Sequence, residues 1–498
     1  MRETGGLPIQ DILADAFCGP IRFHTTMEGP GRFVFRGLPA GTCRVEIRRA
    51  GLWTWETRVL RLLPGESATA DFELPRLGAL AGKLADDEGN PLPHFQVRLL
   101  RREYDRGVLR YAIGRTATAD DEGRYRIPDI PPGIGHLLVA RPPADREVDE
   151  VPSVYPPVYY PDADTIGAAQ TITLRDGEER EGMDFRISRT PAFCVAGSIQ
   201  AGTPGVFQYI LRPAEPASGM ATFGGQRRGQ TDAEGNFRTC GWPRGEYRLL
   251  SWRPAPQPGM EAFYGTAEVF VADRHSEDVR VTPAPRIPLA GRLVWDGQPP
   301  REPFEQPLTV SIRPANGVIL ANVDTSRGGT ASLPGEFTFL GRQDDYDVAV
   351  QGLRGRLYVK GMVYAGESVL GRPMRLGARP GPAELTVTIG QDGALLGAVV
   401  TDREGGAIPH AWVSMVPEHA TSAADLSVSG ILQQTDQSGR LDPVAVAPGK
   451  YRVLGWNWKL DRTPESLERI WGARSRATEV TADSAETVEV KVAVQEID

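Results

Sequence analysis

Apolar and polar residues alternate along this chain in short runs, and one such run returns four times. At 235–250 it reads GNFRTCGWPRGEYRLL, and at 31–45 GRFVFRGLPAGTCRV. It recurs at 123–137 as GRYRIPDIPPGIGHL and at 439–453 as GRLDPVAVAPGKYRV. In every copy two glycines stand ten residues apart: 31 and 41, 123 and 133, 235 and 245, 439 and 449. Pairs such as Phe33 and Phe35, Tyr125 and Ile127, or Leu441 and Pro443 supply one inward face of a short strand. An apolar plug follows at Leu38, Ile130, Trp242 or Val446, and a Pro-containing turn then closes on the second glycine, where positive φ is expected. The next strand starts at once, at Tyr247 and Tyr451. The phrase therefore predicts two antiparallel strands joined by a tight connection.

The flanks repeat as well. A strand with a central glycine (Gly82, Gly197, Gly397) precedes the phrase by 41, 38 and 42 residues, counted to Gly123, Gly235 and Gly439. A second strand follows each opening strand: HFQVRLL, FQYILRP and AWVSMVP. An aromatic-led loop and a closing alternating strand complete each copy. Residues 286–390 keep this order, with Gly291 in the opening strand and GEFTFLGRQDDYDVAV as the phrase, but Gln343-Asp344-Asp345 replaces the Pro-Gly connection. About seven short strands in ~100 residues is the strand density of a two-sheet sandwich. The expected fold is all-β: a tandem array of about five Ig-like or transthyretin-like β-sandwich units at 1–77, 78–187, 188–285, 286–390 and 391–498. Such units in a row imply beads, each with its own core, joined by short Pro-containing linkers.

The first unit is incomplete, because its opening strand would fall before Met1. Residues 9–17, IQDILADAF, have helical spacing instead (Ile9, Ile12, Leu13, Ala16, Phe17). Two readings stay open: an internal start whose missing leader carries an export signal, or a degenerate first unit capped by a helix. A second helix is expected near 463–472, where Thr463 caps and Leu467, Ile470 and Trp471 share a side.

These phrases resemble the carboxypeptidase regulatory-like domain, a transthyretin-like sandwich related to Cna-B-like and carbohydrate-binding-like folds. The residues that carry the resemblance are Gly397, Ile408-Pro409, Thr435-Asp436-Gln437-Ser438-Gly439 and Pro448-Gly449-Lys450-Tyr451. Thr231-Asp232-Ala233-Glu234-Gly235 and Pro243-Arg244-Gly245-Glu246-Tyr247 repeat them. The likeness covers roughly 78–498. Cys43 and Gly135 depart from it where Tyr is expected. It implies a bacterial, extracytoplasmic, non-enzymatic structural or interaction module. It also admits an accessory region of a larger secreted enzyme or outer-membrane transporter.

Composition adds exclusions. A net charge of −8 gives no reason to expect nucleic acid, and no apolar run is long enough to span a membrane. The first seventeen residues show no export signal. None of the six histidines begins His-x-x-Glu, and no nucleophile elbow, phosphate loop or Cys-x-x-Cys is present, so no catalytic, cofactor or metal residues are assigned. The acidic turns at 86–89 and 120–123, with Asp232 and Asp436, do not follow a calcium-loop spacing. Asp before a glycine turn bonds its own backbone. Cys194 with Cys240, and Cys18 with Cys43, are candidate disulfides in oxidising surroundings, the alternative being small buried thiols. The binding signal lies in aromatics: Trp252, Trp456, Trp458, Tyr155, Tyr159 and Tyr160, with Trp53 and Trp55. Exposed rings stack on a polysaccharide or dock a protein partner; covered rings seal a sandwich edge.

Overall fold

The opening strand of the last unit, Ala394–Thr401, lies between two partners. It runs antiparallel to the phrase strand Arg440–Val446 and parallel to the closing strand Thr487–Gln495. The second strand, Trp412–Pro417, pairs antiparallel with Ile431–Gln434 and with the return strand Gly449–Trp456. The same ladders recur in the third unit. There Phe193–Ile199 sits between Asn236–Trp242 and Ser276–Val281, and Gln208–Pro213 lies beside Gly245–Arg253. In the fourth, Ile287–Trp295 sits between Gly335–Gly341 and Glu384–Gly390, and Leu308–Pro314 pairs with Asp345–Gln351. The second unit repeats them with Gly78–Ala85 against Arg124–Ile130, and Gln96–Asp105 against His136–Arg141. This computed structural model describes residues 2–3, 12–25, 27–49, 55–143, 151–202, 205–214, 225–253, 262–298, 308–315, 330–331, 335–377 and 384–495. The described residues are all-β but for a few short helical turns and one ten-residue helix.

Alternation along these strands builds separate apolar clusters. Leu396, Val413 and Val453 meet in the last unit, Val195, Leu211 and Leu249 in the third, and Leu293, Val310 and Val387 in the fourth. Leu80, Val97 and Ile127 do so in the second, and Ala14, Val45 and Leu60 in the first.

The repeated phrase is not a hairpin. Asn236–Trp242 and Gly245–Arg253 belong to different sheets, as do Arg124–Ile130 and His136–Arg141. The Pro-Gly connection is an arch that carries the chain across the sandwich. The buried plug explains the crossing: Ile130, Trp242 and Val446 point between the layers, so the chain turns around the core edge rather than within one sheet. The tyrosine after the arch ties it down. Tyr247 Oη donates to Pro243 O at 2.7 Å, and Tyr451 Oη to Ala447 O at 2.8 Å. In the fourth unit Tyr346 Oη donates to Arg342 O at 3.1 Å and accepts from Arg342 N at 2.9 Å. The clamp thus survives where Pro-Gly is lost. In the first unit Cys43 takes the tyrosine's place and is bridged to Cys18.

The first glycine of the phrase is required twice over. Gly439 has φ +73°, and a Cβ there would lie 2.9 Å from the Ile408 backbone; Gly235 has φ +87° and would meet Ile199 O at 2.6 Å. Among the second glycines, Gly133 (φ 75°) is left-handed as expected, but Gly245 is not, since it already pairs with Val271 in the return strand.

The helix expected over 9–17 is a strand. Ile12–Cys18 pairs with Ile21–Thr25 on one side and Gly41–Arg49 on the other; residues 9–11 lie outside the described residues. Ile12, Ala14, Ala16 and Cys18 are buried at alternate positions, and the two flanking strands satisfy the backbone that a helix would have satisfied internally. Arg2–Glu3 runs parallel to Glu73–Leu74, the pairing that opening and closing strands make elsewhere. At 463–472 the structure has α2, Pro464–Ala473, with Thr463 Oγ1 accepting from Ser466 N; a single-turn α1, Leu426–Ser429, precedes it.

The units are not beads. Gln437 in the last unit bonds both backbone groups of Arg61 in the first, at 2.9 and 2.8 Å, and Arg61 reaches Asp442 at 3.1 Å. Arg356 in the fourth unit donates to Gly393 O, Glu486 O and Thr487 Oγ1 at 2.7–3.0 Å. The chain folds back so that its first and last units touch.

Two substitutions test the arch. Tyr451→Phe removes a buried hydroxyl and leaves the Ala447 carbonyl without it, and should lower unfolding free energy by about 1–2 kcal/mol in a denaturant titration. Gly439→Ala, facing both a left-handed φ and the Ile408 backbone, should cost at least about 2 kcal/mol in the same measurement.

Candidate functional site

Two of the aromatics singled out from sequence, Trp456 and Tyr159, are enclosed, and the other described ones are half-buried. Trp456 is buried, 2% exposed, and donates from Nε1 to Ser414 Oγ at 2.9 Å. Of the two readings, exposed or covered, it takes the covered one, because α2 lies over that outer face of the sheet: Leu467, Ile470 and Ala473 pack with Trp456, Leu454 and Val416 in a second apolar cluster. Trp458 is half-buried on the same cluster, edge-on to Trp456 at 5.4 Å, with the Arg469 guanidinium over its ring at 5.0 Å. Tyr159 is likewise buried, 1% exposed, under the loop that follows it, with Leu100, Tyr111 and Leu137. Tyr155 and Tyr160 are half-buried, edge-on to Phe95 at 5.6 Å and Phe185 at 5.7 Å. Trp252 is half-buried in the return strand opposite Tyr264. Trp53 lies outside the described residues, as does the side chain of Trp55.

Both cysteine pairs are bridged. Cys18–Cys43 joins adjacent strands with Cα atoms 4.3 Å apart, and Cys194–Cys240 does so at 3.9 Å. The acidic turns form a matching set. Asp86 Oδ1 accepts from Glu88 N and Asn90 N, Asp120 Oδ1 from Glu122 N and Arg124 N, and Asp436 Oδ1 from Ser438 N and Arg440 N. Asp232 accepts from Asn236 N at 2.6 Å. These bonds hold the carboxyls of Asp86 (chiefly the Asn90 amide), Asp120 (Arg124 N–H) and Asp232 (Asn236 N–H) below the usual carboxylate range. The histidines His94 and His410 occupy equivalent left-handed turns, φ 64° and 56°. Among the described residues, no cluster of three or more His, Cys, Asp or Glu side chains is placed to hold a metal ion. No helix among them is long and apolar enough to cross a membrane.

The best-built polar constellation was missed from sequence. The hairpin Gln96–Asp105/Val108–Thr118 extends out of the second unit and wedges between the fourth and fifth. Tyr104 N donates to Arg462 O at 2.8 Å, Gly107 N to Ser427 Oγ at 2.7 Å, and Arg102 pairs with Glu465 of α2. On the other side Arg106 donates to Val348 O at 3.2 Å and lies 3.8 Å from Asp347, while Arg110 donates to Ala315 O. Burial pushes the Asp347 carboxyl up, and the Arg106 cation opposes that. The unusual length of the hairpin and its run RREYDRG were the available signals. What they meet depends on residues more than two hundred positions away.

No family model matches the chain, and no curated protein does. Among solved structures it is similar to the Bacillus anthracis TIE protein, at 10% identity over 86% of this chain and 76% of that one, TM-score 0.17. A streptococcal ancillary pilin matches at 13% identity over 63% and 99%, TM-score 0.21. The full-length RrgB pilus protein of Streptococcus pneumoniae matches at 8% over 85% and 99%, TM-score 0.14. Superpositions this loose carry no conclusion about activity; the all-β architecture stands on the strand pairings themselves.

One titration follows from the second unit. Burial pushes the His136 imidazole down to about 4. The unfolded chain, at the ordinary ~6.5, binds the proton first. The stability this histidine allows is complete above pH 6.5 and is lost as pH falls from there toward 4, by up to about 3 kcal/mol. His136→Asn should flatten denaturant-measured stability across that window.

Proposed function

We propose that the chain is a non-enzymatic structural protein of the bacterial exterior. It is divided into five sandwich domains at the boundaries read from the sequence, and folded back on itself to present loop ends to a protein partner. The observation that carries this reading is the pair of cross-strand disulfides, which join strands inside two different units and persist in oxidising compartments. The interdomain ties support a body that holds its shape: the hairpin anchors on two neighbours, and Arg356 makes three bonds across the fourth junction. A polysaccharide platform has less support, because Trp456 and Tyr159 are enclosed by their own chain.

Three measurements test this. Thiol labelling of exported protein, before and after unfolding without reductant, should find no free cysteine; four reactive thiols would overturn the assignment to an oxidising compartment. Cys194→Ser with Cys240→Ser should cost about 2–4 kcal/mol, given the 46-residue separation that the bridge closes. Small-angle scattering should give a radius of gyration near the ~23 Å of a compact chain of this length. A value roughly twice that would mean the domains hang in a row.

A further inference from the structure

The fourth unit departs from its neighbours in where one strand goes. In the third unit Phe263–Val271 pairs with the return strand Gly245–Arg253, and in the fifth Thr478–Ala482 pairs with Gly449–Trp456. The equivalent strand of the fourth unit, Tyr358–Tyr364, pairs instead with the closing strand Glu384–Gly390 in the opposite sheet. Among the described residues, the return strand Asp345–Gln351 has on that edge only the two-residue Met374–Arg375 along its start. Between the separated strands lies a pocket of about 300 Å³.

Its floor is aliphatic. Val348 and Val350 come from the return strand, Val359 and Met362 from the switched strand, and Leu370 and Val428 from the covering segments. Its mouth is cationic: Arg372 and Arg462 are exposed there, Arg106 stands beside them, and Asp347 is the single acid among the described lining residues. Leu370 and Val428 are 44% and 39% exposed, so apolar surface reaches the opening. A further strand is not accommodated along this edge, because Arg106 of the hairpin already holds the Val348 carbonyl. An aliphatic floor with guanidinium groups at the entrance fits an amphiphile with a negative head.

We propose that this pocket receives the chain of a medium-chain fatty acid, with its carboxylate held by Arg372 and Arg462. The site arises from the strand switch and does not depend on the structural role proposed above. Calorimetric titration of the full chain with decanoate should show saturable binding of one molecule per chain. Decanol, with the same tail and no charge, should bind at least about ten-fold more weakly, and acetate should not bind. Arg372→Ala with Arg462→Ala, both exposed, should weaken decanoate by about ten-fold or more and leave decanol unchanged. Val350→Phe, which fills the floor beside Val348, should abolish both, with the melting curve checked against the parent. Any of three results would overturn the proposal: no saturation by millimolar decanoate, equal affinity for decanol, or an arginine double variant that binds decanoate as before. Saturation by an acidic peptide but not by decanoate would overturn it too.

Discussion

The arch between the two layers is the constraint on which each sandwich depends. An apolar plug enters the core while the chain changes sheets within a few residues, and in the third, fourth and fifth units a tyrosine hydroxyl reaches back four residues to fix that path. The reach-back is short because the arch is tight, and the arch is tight because the plug is buried. Where the turn residues change, as at Gln343-Asp344-Asp345, the tyrosine persists and an ion pair at 2.9 Å between buried Arg342 and half-buried Asp344 stands in for the Pro-Gly stiffness. The first unit replaces the hydroxyl with sulfur chemistry at Cys43.

Around these arches the chain manages its outer faces unequally. The last unit covers one with α2 and the second unit covers one with the loop after Tyr159. Those covers let apolar residues occupy both sides of a strand, as the burial of Leu454 and Trp456 beside Val453 shows. The α2 cover in turn becomes a docking place for the long hairpin, through Glu465 and the backbone of Arg462. Packing on a sheet face and association between units are here the same event.

Strand positions in the repeated phrase were legible, because alternation and the ten-residue glycine spacing are local. The bonds of the aspartate turns were legible for the same reason. The sheet each strand joins was not: turn chemistry marks where the chain bends but not which layer it enters, and the evidence lay in Tyr247 and Tyr451, read at first only as strand starts. Residues 9–17 misled because apolar residues at 9, 12, 13, 16 and 17 suit a helical stripe, while a strand flanked on both sides is apolar at most positions. The cover over Trp456 was legible in part: Thr463 and the apolar side at Leu467, Ile470 and Trp471 mark the helix, but not the sheet face it lies on. The pocket in the fourth unit was illegible, since a switched strand leaves the alternation of Tyr358–Tyr364 unchanged.

The parallel pairing of opening and closing strands has a mechanical consequence. In the last unit seven residue pairs, from Leu395 with Thr487 to Thr401 with Ala493, lie side by side with both strands running the same way. A pull on the two ends of that unit drags these strands past each other lengthwise, so the bridging bonds resist together instead of peeling apart one after another. Tension along the backbone therefore meets its stiffest resistance at the seam where the unit begins and ends.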